Sequence, residues 1–369
     1  MKDNEPTLKR IHIAVAVIAV VVLLASTYFF VVNYVFVNQP KQTLRIHCAT
    51  SLQFPFASVE EDFETAYPNV DVQIEGHGTI QVIRHVTELG QNNDLLFVAD
   101  YGLIPVMMYD TKIPDSDESF ADYYIRFATN RLVLAYTDNS MYADEINADN
   151  WYSVLVRPEV TLGLGNPQVA SIGYRAITAI QLAENYYDAP HLFHDLISAN
   201  LSPPINSIAN GEAYTIIVPE VQNPKGDKLK LRTSEVDLTA LLDSGHLDYC
   251  LIYLSNALQY GFNYIELPDE VNMGSPQHQN VYEKVEVIYE HQRFATISLD
   301  RTGENIYYGV TIPKNAPHPD LAEKFLEFLL DGTGKHDFEL AHHPVFSPSF
   351  TDNLGAVPES LKSLVVLEP

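Results

Sequence analysis

The sequence predicts an α/β fold of two domains behind an N-terminal transmembrane helix. Three observations predict it. Strand-like and helix-like patterns alternate along the chain and restart near residue 126. At 369 residues with 46% hydrophobic side chains, the chain is long enough for two cores. Its N-terminus carries an apolar run, Ile11 to Val37, about as long as a membrane-spanning helix needs.

That run exceeds the roughly 7–15 apolar residues of a secretory signal. Lys9 and Arg10 precede it, which places residues 1–10 in the cytoplasm and everything after the linker 38–42 outside. The expected localisation is the cell membrane, with one N-terminal anchor and the rest of the chain extracellular. A cleaved signal peptide competes with this reading, because "LLAS" before Thr27 offers a weak cleavage site. No cysteine ends the run, so a lipid anchor is not expected. Asn200-Leu201-Ser202 is a glycosylation sequon.

Beyond the linker, "TLRIHCAT" reads as a buried strand, Thr43 to Thr50, and "SLQFPFASVEEDFETAYP" as a helix with Ser51 near its start. "VDVQIEGHG" alternates like a strand. "GTIQVIRHVTELG" sets Ile80, Ile83, Val86 and Leu89 on one helical stripe, closed by Gly90. "NDLLFVAD" is short and nearly all apolar, as in a parallel sheet covered on both faces. The pattern restarts with "RFATNRLVLAYT", one long strand from Arg126 to Thr137. There follow the strand "VTLGLGNP", the helices "GYRAITAIQLAENYY" and "SEVDLTALLDSG", and the strand "HLDYCLIYLS". "FNYIELP", "NIYYGVTIPKNAP" and a helix, "PDLAEKFLEFLLDGTGKHDFELA", close the chain. Ser202 to Lys230 reads as a loop or hairpin.

Composition narrows the function. With 48 acidic against 22 basic residues, the net charge of −26 repels nucleic acid. Cys48 and Cys250, far apart in sequence, read as free thiols. The 13 histidines suggest no metal site: His342 and His343 are adjacent, and His77 and His85 flank a helix start without acidic or cysteine partners. No nucleophile elbow, H-E-x-x-H or P-loop pattern appears, so an enzyme is not expected. Helices that directly follow strands point their N-termini at the carboxyl edge of a sheet, where ligands bind. Their unpaired N–H groups suit an anion without help from Lys or Arg. "NPQVASIGYR", Asn166 to Arg175, is one such helix start.

Together "ATSLQFPF", "GTIQVIRHVTELG", "VADYGLIP", "FATNRLVLAYTD", "YADEINADNWYSVLVRPEV", "GYRAITAIQLAENYY", "GHLDYCLIYLSNA", "YIELPDEVN" and "YGVTIPKNA" resemble the archaeal-type molybdate/tungstate-binding family, the solute receptors of ABC importers. The resemblance runs from about Thr43 to about Pro344. It implies a two-lobed periplasmic-binding-protein fold, type II-like, with lobe 1 at residues 43–126 and 262–369 and lobe 2 at 127–261. It implies tungstate or molybdate as ligand, no cofactor, an ABC permease as partner, and a monomer.

In that family hydroxyls and backbone N–H groups grip the oxyanion, and two carboxylates approach its metal centre. Matched position by position, Ser51 corresponds to a family Ser, Thr79 to a position usually Ser, and Tyr174 to the Tyr of "GYR". Asp237 in "SEVDL" stands where the family has Glu. The family pattern N-P-N-D-D-P-C-G-Y-R becomes "NPQVASIGYR" here, so Ala170 replaces one ligand carboxylate and Ser171 adds a hydroxyl. This departure leaves sulfate or phosphate open as the ligand. A membrane-anchored sensor ectodomain that no longer transports is a further alternative.

Overall fold

The structure is a computed structural model that describes residues 5–31, 41–290 and 300–368. The chain divides into two compact units. The smaller, Met1–Thr43 with Tyr67–Asp71, carries a helix, Glu5–Val31, whose large apolar side chains from Val15 to Phe30 are exposed. Among the described residues no helix is long and apolar enough to cross a membrane. The expected span runs into residues 32–40, which lie outside the described residues.

The larger unit is α/β. Its seven-stranded sheet has the order Val365–Leu367, Val345–Thr351, Ile125–Thr129, Tyr307–Thr311, Leu95–Val98, Gln42–Ala49, Val70–His77. Leu95–Val98 pairs in parallel with Gln42–Ala49, and all four of its residues are buried, as an apolar run covered on both faces requires. An aromatic core of Phe56, Phe63, Phe97, Phe127, Phe325 and Phe338 packs largely edge to face, with Phe56 and Phe97 centroids 4.8 Å apart.

The second sheet has five strands in the order Leu229–Arg232, Leu162–Gly165, Tyr249–Tyr253, Leu132–Tyr136, Asn263–Glu266. Leu238 and Leu242 of the helix Glu235–Asp243 pack with Val133, Cys250 and Ile252 beneath it. Each large sheet holds one free, buried cysteine, Cys48 in the first and Cys250 in the second.

Several elements differ from expectation. The single long strand over 126–137 is two strands in two sheets, Ile125–Thr129 and Leu132–Tyr136, broken at Asn130 and Arg131. Asn130 donates to the Ser255 and Tyr308 hydroxyls, at 2.8 and 3.1 Å, and so fixes this crossing between the sheets. The return falls between Glu266 and Tyr307. Asn263–Glu266 still belongs to the five-stranded sheet, past the 261/262 boundary. The segment read as a loop or hairpin contains the hairpin Asn206–Asn210/Ala213–Val218, which with Val285–Tyr289 and Arg301–Thr302 builds a four-stranded sheet. The last long helix breaks at Gly332 into Pro319–Asp331 and Thr333–Leu340. Leu89, read as part of a buried stripe, is 66% exposed, because the helix ends at Thr87.

Candidate functional site

Four element starts converge between the two large sheets. The first strand, Gln42–Ala49, runs into a short 3-10 turn, Thr50–Leu52, in which Thr50 and Ser51 are buried. The Tyr308 hydroxyl donates to Ser51 Oγ at 3.4 Å. Thr79 opens the helix Thr79–Thr87, and its Oγ1 accepts from the Ala99 N–H at 3.1 Å. Ser171 opens the helix Ser171–Tyr186. Its Oγ lies 3.3 Å from Thr79 Oγ1 and 3.3 Å from the Tyr253 hydroxyl. The fourth start is Glu235, first residue of its helix, whose carboxylate accepts from the Thr50 hydroxyl.

One turn into the third helix, Arg175 is buried in the same group. Its Nη1 donates to the Ala99 carbonyl, and to the Tyr253 hydroxyl at 2.9 Å, while its Nη2 is buried without a hydrogen-bond partner among the described residues. Burial opposes the charge, yet Tyr253, Tyr174 and Asp100 hold the guanidinium above its ordinary pKa. Burial raises the Glu235 carboxyl, against the pull of Thr50 and Arg175. The arrangement sets hydroxyl donors, one buried cation and one buried carboxyl around the N-terminal ends of helices, which suits a small oxyanion.

Two glycines make the approach possible. A Cβ on Gly173 would stand 2.5 Å from Pro167 N, so only glycine lets the helix start fold back on the strand before it. A Cβ on Gly78 would stand 2.3 Å from the Val169 carbonyl oxygen, so the turns that follow a strand of each large sheet meet there backbone to backbone.

The structure therefore brings Ser51, Thr79 and Ser171 together, with Ala170 buried as the residue before the third helix. It does not bring Asp237. That residue is exposed, and its side chain accepts from Thr233 Oγ1 at 3.4 Å. The carboxylate of this helix that reaches the site is Glu235, so the arm is not shortened to Asp. The helix period carried the signal: Leu238 and Leu242 are buried, and the residue three before Leu238 shares their face. Tyr174 is buried, but its hydroxyl donates to Asp100. Asp100 also takes hydrogen bonds from Arg301 at 2.9 Å and from the Gly102 N–H at 3.0 Å. Burial opposes it, but Arg301 and Arg175 hold this carboxyl below its usual range. Next to it, Glu304 is pushed up to about 7 by burial and by Asp100, against its 2.7 Å contact with Arg301.

Against the expectation of a site without cationic side chains, the same group of residues holds Arg175, which stands in "GYR" beside Tyr174. Thr50, Tyr253 and Tyr308 were likewise missed. The histidines His77 and His85 are not without partners either, because His47 and Glu75 stand beside them.

Residues 44–339 match the family of bacterial extracellular solute-binding proteins. The chain belongs to that family. This solute-binding protein is 37% identical over 326 residues to an uncharacterised solute-binding protein of Methanococcus maripaludis, covering 88% of this chain and 93% of that one. It is 36% identical over 343 residues to the molybdate/tungstate-binding protein WtpA of Pyrococcus abyssi, covering 90% and 92%. The periplasmic molybdate-binding protein of Azotobacter vinelandii superposes with a TM-score of 0.51 at 14% identity, over 81% of this chain and 98% of that one. The fold is accordingly the two-lobed α/β fold of periplasmic binding proteins. The family binds solutes outside the cell and is not one of enzymes.

Proposed function

We propose that this solute-binding protein captures tungstate or molybdate outside the cell and hands it to the permease of an ABC importer. The observation that carries the reading is the meeting of Thr79 and Ser171, each the first residue of a helix, 3.3 Å apart beside Arg175 and Glu235. An oxyanion seated there takes hydrogen bonds from Ser51, Thr79, Ser171 and Tyr253, from helix-start N–H groups and from the Arg175 guanidinium. Glu235 is the carboxylate for the central metal atom. The names of relatives such as the Pyrococcus abyssi protein support this choice of ligand. The lobes, hinged at the crossings near residue 130 and between 266 and 307, close over the anion as a monomer.

The apolar segment 11–37 serves as the anchor, with residues 1–10 in the cytoplasm. Its exposed apolar side chains support this, as do Ser26 and Thr27, whose hydroxyls bond back to the Val22 and Leu23 carbonyls at 2.8 and 2.6 Å and need no water.

A second reading rests on Ala170. Because the second family carboxylate is missing, the site is closer to one for a plain tetrahedral anion such as sulfate or phosphate. Calorimetry with tungstate, molybdate, sulfate and phosphate separates the two. Tungstate bound at micromolar or lower Kd with no heat from sulfate is the expected result. Sulfate or phosphate bound more tightly than tungstate transfers the assignment to the second reading, and no heat from any of the four removes both.

A further inference from the structure

Away from the anion site, three histidines gather on the outer part of the seven-stranded sheet. His47 lies on the strand Gln42–Ala49, His77 ends the strand Val70–His77, and His85 lies on the helix Thr79–Thr87. One ring nitrogen from each lies within 4.8 Å of the other two. The ring centroids are 5.3 Å apart for His47 with either partner and 4.3 Å apart for His77 with His85. Glu75 precedes His77 by two residues on one strand and so shares its face. Its Oε2 lies 3.3 Å from His47 Nε2 and 3.5 Å from His77 Nε2. Among the described residues, His47 Nδ1, His77 Nε2 and His85 Nδ1 are buried and make no hydrogen bond, the 3.5 Å contact of His77 with Glu75 being an ion-pair distance only.

We propose that His47, His77 and His85, with Glu75 as fourth donor, bind a divalent transition-metal ion of the zinc type. Three imidazoles and one carboxylate are a borderline donor set, suited to Zn2+, Co2+ or Ni2+ rather than to Ca2+ or Mg2+, which take oxygen ligands. Around a tetrahedral Zn2+ with bonds of about 2.0–2.1 Å, nitrogens stand about 3.4 Å apart. The present nitrogens need to close by about 1.5 Å at most, within the reach of small side-chain rotations. His77 and His85 are partly exposed and can turn, while His47 is buried and sets the position. Glu75 is 66% exposed at the side chain and opens the site to solvent. Arg45, two residues before His47, lines the same depression; its charge opposes a cation there, and the Glu75 carboxylate offsets it. A bound ion would tie the last turn of the helix Thr79–Thr87 to the strand Gln42–Ala49.

The test uses the full, tag-free chain stripped of metal with a chelator. Co2+ is titrated with visible absorption as the readout, followed by Zn2+ in calorimetry. One ion per chain at submicromolar Kd is expected, with the intense visible bands of tetrahedral Co2+. His77→Asn and His85→Asn should each weaken Zn2+ by more than the ~10–100-fold that losing an outer-shell partner costs. Glu75 is exposed, so Glu75→Gln folds whatever the histidines do, and as loss of a charged ligand it should weaken Zn2+ at least about tenfold. Absence of binding overturns the proposal. So does binding that His85→Asn and Glu75→Gln leave unchanged, which would place the ion at other histidines, such as the adjacent pair His342 and His343.

Discussion

Replacing Gly78 by alanine should weaken anion binding without weakening the empty protein. Gly78 has φ −60° and ψ 143°, a conformation open to any residue, so the backbone itself does not demand glycine. What demands it is the Val169 backbone across the cleft, whose carbonyl oxygen and carbon would lie 2.3 and 3.0 Å from the new Cβ. A carbon and an oxygen settle near 3.3 Å, so the two turns must part by about 1 Å. Overpacking of this kind costs about 1–3 kcal/mol. The cost falls only on the state in which the two turns touch. Lobe closure on ligand would therefore carry it, and Kd should rise about 5- to 150-fold. With the two turns parted, the methyl group would keep only an ordinary contact with Gln81 Oε1, at 3.4 Å, and the smaller freedom of the unfolded chain should add about 0.4–1 kcal/mol of stability. Calorimetry with tungstate and thermal melts without it measure the two effects separately. An unchanged Kd would refute the hinge reasoning. A ligand-free melting temperature that falls as far as binding weakens would show a fixed interface, as in a sensor that does not open.

Three further outcomes are expected. Because burial raises the Glu235 carboxyl, the folded chain keeps a proton that the unfolded chain releases. Its stabilising contribution is complete below the unfolded value and is lost as pH rises through the folded one, so Glu235→Gln should flatten that fall in urea midpoints measured without anion. The same titration decides its role: tungstate affinity that rises with pH marks a carboxylate bonded to the metal atom, and affinity that falls marks a proton shared with the anion. Arg175→Met should cost about 1.5–3 kcal/mol of anion binding, the worth of a hydrogen bond to a charged group, and calorimetry showing no loss would remove Arg175 from the site. Ala170→Asp should strengthen tungstate relative to sulfate by restoring a carboxylate, and should also cap the helix Ser171–Tyr186, a contribution of about 0.5–2 kcal/mol; an unchanged preference in the calorimetric panel would place residue 170 away from the ligand.

What could be read from the sequence was local. Parallel strands buried on both faces appear as short apolar runs, and Leu95–Val98 is one. Ser51, Thr79 and Ser171 were legible through the family resemblance, because a hydroxyl at the start of an element reads equally well as a helix cap. The choice of Asp237 over Glu235 went astray because both acids sit in the first turn, and only the burial of Leu238 and Leu242 decides which one faces inward. Tyr253 and Tyr308 carry no local signal, because they are core aromatics whose hydroxyls meet polar partners from other segments. Arg126 to Thr137 looked continuous because both halves alternate alike, and only pairing reveals that they serve different sheets. His47 stands 30 residues before His77, and no spacing rule joins a strand residue to a neighbour that far along the chain.

The two cysteines also offer a pair of built-in reporters. Burial raises both thiols far above their ordinary range, so neither reacts while its own half of the molecule stays intact. With Cys48 in one large sheet and Cys250 in the other, the labelling rate at each sulfur times the transient loosening of one half alone. Mass spectrometry of the two tagged peptides would then rank the halves by robustness, and would record which of them an anion steadies, without a single engineered residue.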